Sequence, residues 1–163
     1  MQMQDRVAMV TGGARGIGRG ISLVLAERGA DVALSDIDVD GAKNPEREIA
    51  GLGRKAAAYR ANVSSAAEVE EAVDAVLSEF GRIDVLVNAA GVIGAPGWED
   101  SPTAREVDWD ITFDVNVKGT VIASDAVSRH MKARRSGKIV NIASHGGRRG
   151  GANISAYGAS KAA

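Results

Sequence analysis

The chain has 163 residues, one domain's worth, and 45% of them are hydrophobic, enough for a single buried core. Its 20 Lys+Arg and 21 Asp+Glu leave a net charge of -1, which argues against a nucleic-acid footprint or a polybasic membrane patch. Cysteine is absent, so neither a disulfide framework nor a thiolate metal site can form. The sequence shows neither the apolar core of a signal peptide nor an apolar run of roughly 18 residues. The expectation is a soluble cytoplasmic protein with no membrane segment and no nucleic-acid partner.

Short apolar runs alternate with longer amphipathic ones. Residues 6–11 read as a buried strand, and residues 16–28 as a helix closed by Gly29. Residues 31–36 are a second strand. Residues 42–52 predict a helix, with Pro45 in its first turn, where a missing N–H is harmless. Residues 55–60 are a third strand. The next helix carries the strongest signal. Ser65 and Glu68 have the spacing of a capping box, Val69, Ala72, Val73, Val76, Leu77 and Phe80 recur at the helical period, and Gly81 stops the run. Residues 83–87 are a fourth strand, and residues 92–102, rich in Gly and Pro, a loop. Residues 109–134 predict a long helix, apolar over much of its surface and so wedged between other elements. Residues 138–143 are a fifth strand; a polar, Gly-rich loop runs to Asn153, and a last helix begins near Tyr157. Almost continuously apolar strands alternating with helices predict an α/β fold, a doubly wound parallel sheet in one domain covering residues 1–163.

The stretch Thr11-Gly12-Gly13-Ala14-Arg15-Gly16-Ile17-Gly18 lies directly between the first strand and the first helix. Gly12 can adopt a backbone shape closed to other residues, Gly16 lets the main chain approach a pyrophosphate, and Gly18 lets the helix pack close to the sheet. The helix N-terminus offers free N–H groups and a partial positive charge. A glycine triplet alone is a weak signal, because tight turns also collect glycine. Here strand, glycines and helix come in the required order, so the turn, with Arg15 and Ile17 inside it, is a candidate dinucleotide site. Asp36 ends the second strand, 18 residues past Gly18. A carboxylate there can accept both hydroxyls of an adenosine ribose and would repel a 2′-phosphate. Arg15 pulls the other way, since a guanidinium could pair with that phosphate. Neither Ile37 nor Asp38 adds a cation, so NAD is expected over NADP.

The spacing Gly12-x-x-x-Gly16-x-Gly18 resembles the glycine motif of the short-chain dehydrogenase/reductase family. Four further stretches carry the resemblance. Asn88-Ala89-Ala90-Gly91 follows the fourth strand; Asn116 lies in Asp114-Val-Asn-Val-Lys-Gly119; Ser144 follows the fifth strand; Tyr157-Gly-Ala-Ser-Lys161 matches Tyr-x-x-x-Lys, thirteen residues beyond the serine. The resemblance implies a Rossmann-type sheet in the order 3-2-1-4-5 and a hydride-transfer site of Asn116, Ser144, Tyr157 and Lys161. It implies cofactor contacts from Gly12, Arg15, Gly16, Ile17, Gly18, Asp36, Asn62, Val63, Asn88, Ala89, Gly91, Tyr157 and Lys161. Lys161 would also hold the nicotinamide ribose, and Asn116 would anchor a water in a proton relay.

Elementary chemistry agrees. Tyr157 and Lys161 are four apart, hence on one helix face. A free phenol, with a pKa of about 10, is a poor base at neutral pH, and a nearby ammonium favours its phenolate. Such a tyrosine could take a proton from an alcohol or return one to a ketone oxygen, with Ser144 donating to the same oxygen. Taken singly, a Ser after a strand is usually a cap, a Tyr/Lys pair is surface decoration, and a helical Asn is a packed polar group. In this order, behind a glycine turn, they read as one site.

Two features depart from the family pattern. Asn62-Val63 stands where the family usually has Asp to meet the adenine amino group; an Asn carbonyl accepts that bond more weakly. His145, beside Ser144, reads as a polar loop residue, with pocket lining as the alternative, and Arg134-Arg135 and Arg148-Arg149 read as solvated charges. The resemblance also implies a sixth strand, a substrate-covering loop, a further helix and a seventh strand after Ala163. The sequence is therefore expected to be C-terminally incomplete, holding the adenosine half of the cofactor better than it catalyses. The functional expectation is an NAD-dependent oxidoreductase of a secondary alcohol or ketone, either a sugar or polyol or a 3-oxoacyl thioester. Its full-length parent would be a homodimer or homotetramer. The competing expectation is a non-catalytic nucleotide-binding fragment.

Overall fold

A computed structural model describes residues 3–163 of the chain. Five parallel strands, β1 (Val7–Thr11), β2 (Asp31–Asp36), β3 (Ala56–Arg60), β4 (Val85–Asn88) and β5 (Lys138–Asn141), form one sheet in the order β3-β2-β1-β4-β5. Thr11 is in register with Ser35 on one side and Asn88 on the other, and Asn88 with Asn141. The carboxyl ends of the four strands β2, β1, β4 and β5 therefore open along one edge. The chain winds outward from β1 first through β2 and β3, then through β4 and β5. That reversal leaves a crevice above β1 and β4, where ligands of open α/β sheets bind.

Successive strand residues face opposite sides of the sheet, so a strand covered on both faces is apolar throughout. Met9, Ala33 and Leu86 point into one core with Val69, Val73 and Val76 of α3 (Ala66–Phe80) and Ala123 and Val127 of α5 (Gly119–Arg134). Their neighbours Val10, Leu34 and Val87 point into the other, with Ala26 of α1 (Gly16–Glu27) and Ala42 and Ile49 of α2 (Val39–Gly51). Beneath the sheet, at the end remote from the crevice, buried Asp84 joins three segments. It accepts from the Val7 N–H at 3.0 Å, from Arg82 at 2.6 Å and from Arg134 of α5 at 3.2 Å.

Several boundaries differ from the sequence expectations for local reasons. Helix α2 starts at Val39, because the Asp38 carboxylate accepts the Gly41 N–H at 2.9 Å and caps it there. Pro45 thus lies in the second turn, inside the helix rather than at its start, and the Gly41 carbonyl forgoes its helical donor. The capping box of α3 is only half made. Ser65 accepts the Glu68 N–H at 3.4 Å, but the Glu68 carboxylate turns to Arg60 at 2.7 Å and the Asn62 N–H at 3.1 Å. The long helix begins at Glu106 and is three pieces: α4 (Glu106–Phe113), a π turn (Asp114–Lys118) and α5. It is buried on one side and not wedged all round, since Val107, Trp109 and Val121 are exposed. The last helix, α6 (Ser155–Ala162), starts two residues before Tyr157. All four β5 residues are exposed, and β4 is the strand's sheet neighbour.

Candidate active site

The glycine turn joins β1 to α1 at the crevice. Gly12 has φ +68°, and a Cβ there would lie 2.8 Å from the Ala90 main chain, so this glycine permits two turns to touch. A Cβ on Gly18 would collide with the Gly12 carbonyl. The third glycine thus seats the helix on the turn itself, rather than on the sheet as expected. Gly16, at φ +55°, has nothing within 4 Å of a Cβ position and opens outward. Arg15 and Ile17 beside it are exposed, and no side chain caps the α1 N-terminus. Free N–H groups at an open glycine fit a phosphate group.

Asp36 leaves the end of β2 and returns to this turn. One carboxylate oxygen accepts the Ala14 N–H at 3.0 Å and the other the Asp38 N–H at 3.0 Å. The carboxylate is half-buried and fixed beside the glycines. Asn62, beyond β3, uses its side-chain oxygen to accept the Ser64 N–H at 3.0 Å, while Val63 is buried against Gly119.

At the end of β4, buried Thr11 accepts both the Ala89 and Ala90 N–H groups, each at 3.2 Å, and so ties the second turn to the first. The Asn88 side chain points inward, donating to Ser124 and Asn141 at 2.9 Å each. It links β4, β5 and α5 and does not face the crevice. Gly91 does face the site. A Cβ on it would lie 3.3 Å from Asn116 Oδ1 and 3.5 Å from Lys161 Nζ.

Asn116 is buried in the π turn, a helical irregularity often found at functional sites. Its amide accepts from the Val92 N–H at 2.8 Å and donates to the Val92 carbonyl at 2.9 Å and to Ser160 at 2.9 Å. Ser160 in turn donates to the Tyr157 carbonyl at 2.8 Å. The π turn and the α6 helix are thereby held together around Gly91.

Ser144 follows β5 and accepts the Gly146 N–H at 3.1 Å. A Cβ on Gly146 would lie 3.1 Å from the Tyr157 ring and 3.4 Å from the Ser144 hydroxyl oxygen, so serine and tyrosine flank this glycine. Among the described residues the Tyr157 hydroxyl has no hydrogen-bond partner, which leaves it available to a ligand. Lys161 donates to the Ile142 carbonyl at 2.9 Å, and burial lowers its ammonium from the ordinary lysine value. Asn116, Ser144, Tyr157 and Lys161 therefore gather at one end of the sheet. His145 opens a short 3-10 turn (His145–Gly147) and is exposed, as are Arg148 and Arg149. Sequence reasoning missed Thr11 and Ser160, whose roles are bonds to neighbouring main chain and side chains.

Residues 6–163 match the family described as short chain dehydrogenase. Galactitol 2-dehydrogenase of Agrobacterium fabrum is 41% identical over 100% of this chain and 62% of its own length. A 3-oxoacyl-[acyl-carrier-protein] reductase of Thermotoga maritima is 37% identical over 99% of this chain and 65% of its own. The crystal structure of NAD+-bound xylitol dehydrogenase superposes with a TM-score of 0.91 at 35% identity, covering 99% of this chain and 62% of that one. A metagenomic short-chain oxidoreductase in complex with NADP gives 0.87 at 36% identity, covering 98% and 71%. The chain thus spans less than two thirds of the length of these two curated relatives. No helix among the described residues is long and apolar enough to cross a membrane. With its parallel sheet in the order 3-2-1-4-5, its glycine turn and its Ser, Tyr and Lys at the carboxyl edge, the chain belongs to the short-chain dehydrogenase family of Rossmann-type oxidoreductases.

Proposed function

We propose that the protein is an NAD-dependent oxidoreductase that interconverts a secondary alcohol and its ketone, with polyols and sugars as the substrate class. The observation that carries this reading is the gathering of Ser144, Tyr157, Lys161 and Asn116 at the crevice that the glycine turn opens. Gly12, Arg15, Gly16, Ile17 and Gly18 would take the pyrophosphate, Asp36 the adenosine ribose, and Asn62 and Val63 the adenine. Ala89 and Gly91 would lie along the cofactor's middle, with Asn88 behind them supporting the turn. When bound, the nicotinamide supplies the hydride acceptor or donor.

Within the chain, Tyr157 holds the substrate oxygen and moves its proton, and Ser144 donates a second hydrogen bond to that oxygen. Lys161 places positive charge at the tyrosine and binds the nicotinamide ribose; its present bond to Ile142 fixes the amine in the site. Asn116 holds Gly91 and α6 in place and anchors the relay water. NAD is favoured over NADP because Asp36 is fixed at the turn and Ile37 and Asp38 bring no cation for a 2′-phosphate. The similarity to galactitol 2-dehydrogenase supports a polyol. The Thermotoga reductase supports a 3-oxoacyl thioester as the second reading, which an NAD preference disfavours. A cytoplasmic homo-oligomer completes the proposal, and the cysteine-free composition is compatible with it.

The test pairs binding with turnover. NADH and NADPH are titrated by nicotinamide fluorescence, and a panel of polyols and 3-hydroxyacyl thioesters is assayed with wild type and Tyr157→Phe. The expected result is tighter NADH binding and polyol-dependent NAD reduction that the variant loses while still binding NADH. Binding without turnover of any substrate would make this chain a nucleotide-binding fragment. A variant keeping more than about a tenth of the turnover would remove Tyr157 from the acid/base role.

A further inference from the structure

Three buried polar side chains stand four residues apart along the α4–π segment: Asp108, Thr112 and Asn116. Each bonds the main chain of one short stretch, residues 92–95. Asn116 takes both polar groups of Val92, at 2.8 and 2.9 Å. Thr112 donates to the Ile93 carbonyl at 3.1 Å. Asp108 accepts the Ala95 N–H at 2.9 Å. Asp108 is itself held by Arg105, whose main-chain N–H, Nε and Nη2 each donate to it at 2.8 Å. The same guanidinium reaches the Pro96 carbonyl at 3.2 Å. Gly94 sits where a Cβ would come within 3.0 Å of the Asp108 carboxylate, so the stretch lies tight against the helix.

Side chains four apart on an α-helix drift by about 40° per step and would leave a straight line within two steps. The π turn packs more residues into its turn, and it begins two residues after Thr112. It takes back part of that drift and keeps Asn116 aligned with Thr112 and Asp108. The stretch they grip begins one residue after Gly91, whose Cα faces Asn116 and Lys161.

We propose that Asp108 and Thr112 are positioning residues: with Asn116 they form a polar ladder that fixes residues 92–95, and through them Gly91, for the nicotinamide end of the cofactor. Neither residue needs to touch cofactor or substrate. The inference rests on the cofactor reading above and predicts a particular asymmetry. Disturbing the ladder weakens binding of the nicotinamide half and spares the adenosine half, which the glycine turn and Asp36 hold.

The experiment uses the chain and its variants Thr112→Val, Thr112→Ser and Asp108→Asn, which keep side-chain size nearly constant. Affinities for NADH and for ADP-ribose are measured on each, together with amide hydrogen exchange by mass spectrometry. In Thr112→Val and Asp108→Asn, exchange should rise at residues 91–98 and stay unchanged in β1 and α1. The NADH-to-ADP-ribose affinity ratio should fall at least about fivefold, the weight of one net hydrogen bond, and Thr112→Ser should restore it. A loss of both ligands together, or unchanged exchange at 91–98, overturns the ladder as a positioning device. If wild type binds neither ligand, the cofactor reading fails on its own account, and the exchange data still decide whether the ladder fixes the stretch.

Discussion

Replacing Asp84 by Asn should destabilise the protein at neutral pH and much less in acid. The carboxylate is only 4% exposed, and burial alone would raise its pKa. Hydrogen bonds from Arg82, the Val7 N–H and Arg134 overcome that and hold it down at about 2. An unfolded aspartate titrates near 4, and each unit of pKa difference is worth about 1.4 kcal/mol, so ionisation contributes about 2.5 kcal/mol. Arg82 and Arg134 are 37% and 27% exposed, so solvent screens them and this figure is an upper one. The folded value lies below the unfolded one, so the contribution is complete above pH ~5 and is lost as pH falls towards 2; at pH 3 about half remains. Urea unfolding at pH 7 should place Asp84→Asn about 2 kcal/mol below wild type, and the gap should shrink to about 1 kcal/mol at pH 3. Such a loss is a sizeable part of the 5–15 kcal/mol typical of a domain. A gap that stays constant between the two pH values would refute the reasoning and assign the effect to packing. Loss of the Val7 and Arg134 bonds would loosen β1 and α5 together, the two elements that lead into the glycine turn and away from Asn116.

Two further substitutions probe the cofactor end. Gly18→Ala should abolish binding of both NADH and ADP-ribose while far-UV circular dichroism stays native, because the new methyl forces the Gly12 carbonyl out of the turn; retained ADP-ribose affinity would show that the turn can shift. Asp36→Ala should narrow the preference for NADH over NADPH, read as the ratio of dissociation constants. It should also raise ADP-ribose Kd, since the Ala14 N–H loses its acceptor; an unchanged ratio would show that Asp36 does not set the preference.

The sheet was legible in the sequence because both faces of its inner strands are covered. Met9 and Val10, or Leu86 and Val87, serve opposite cores, so an unbroken apolar run was the correct signature. The glycine turn was legible because order and spacing restrict it, and the Ser144, Tyr157 and Lys161 set through its likeness to a family. What escaped depends on bonds between segments distant in sequence. Thr11 is an unremarkable strand residue until the main chain of Ala89 and Ala90 arrives at its hydroxyl. Asp38 outcompeted the expected start of α2 because its carboxylate meets the Gly41 N–H, which also carried Pro45 into the helix interior. The π turn leaves no compositional trace, since its residues suit an α-helix equally well. One signal was present and unread: Asp108, Thr112 and Asn116 recur at four-residue spacing, a polar stripe within a helix read by its apolar residues.

The free side of β5 yields a last expectation. This strand pairs with β4, its four residues are all exposed, and among the described residues no other strand adjoins it. Ile139 and Val140, at 39% and 44% exposure, are consecutive, so they present apolar surface on both faces of the same edge. Unpaired N–H and C=O groups beside apolar side chains recruit other strands, and Lys138 is the strand's one charged residue against that. The chain on its own should therefore associate as its concentration rises, and sedimentation velocity across a hundredfold dilution series would follow it. The double variant Ile139→Lys, Val140→Lys puts a charge on each face and should weaken association by at least about tenfold, as charged residues do at strand edges. ADP-ribose affinity should not change, because the glycine turn and Asp36 lie on the opposite side of β4. A monomer at every concentration would mean that the edge is already protected, and association indifferent to both lysines would move the contact away from β5.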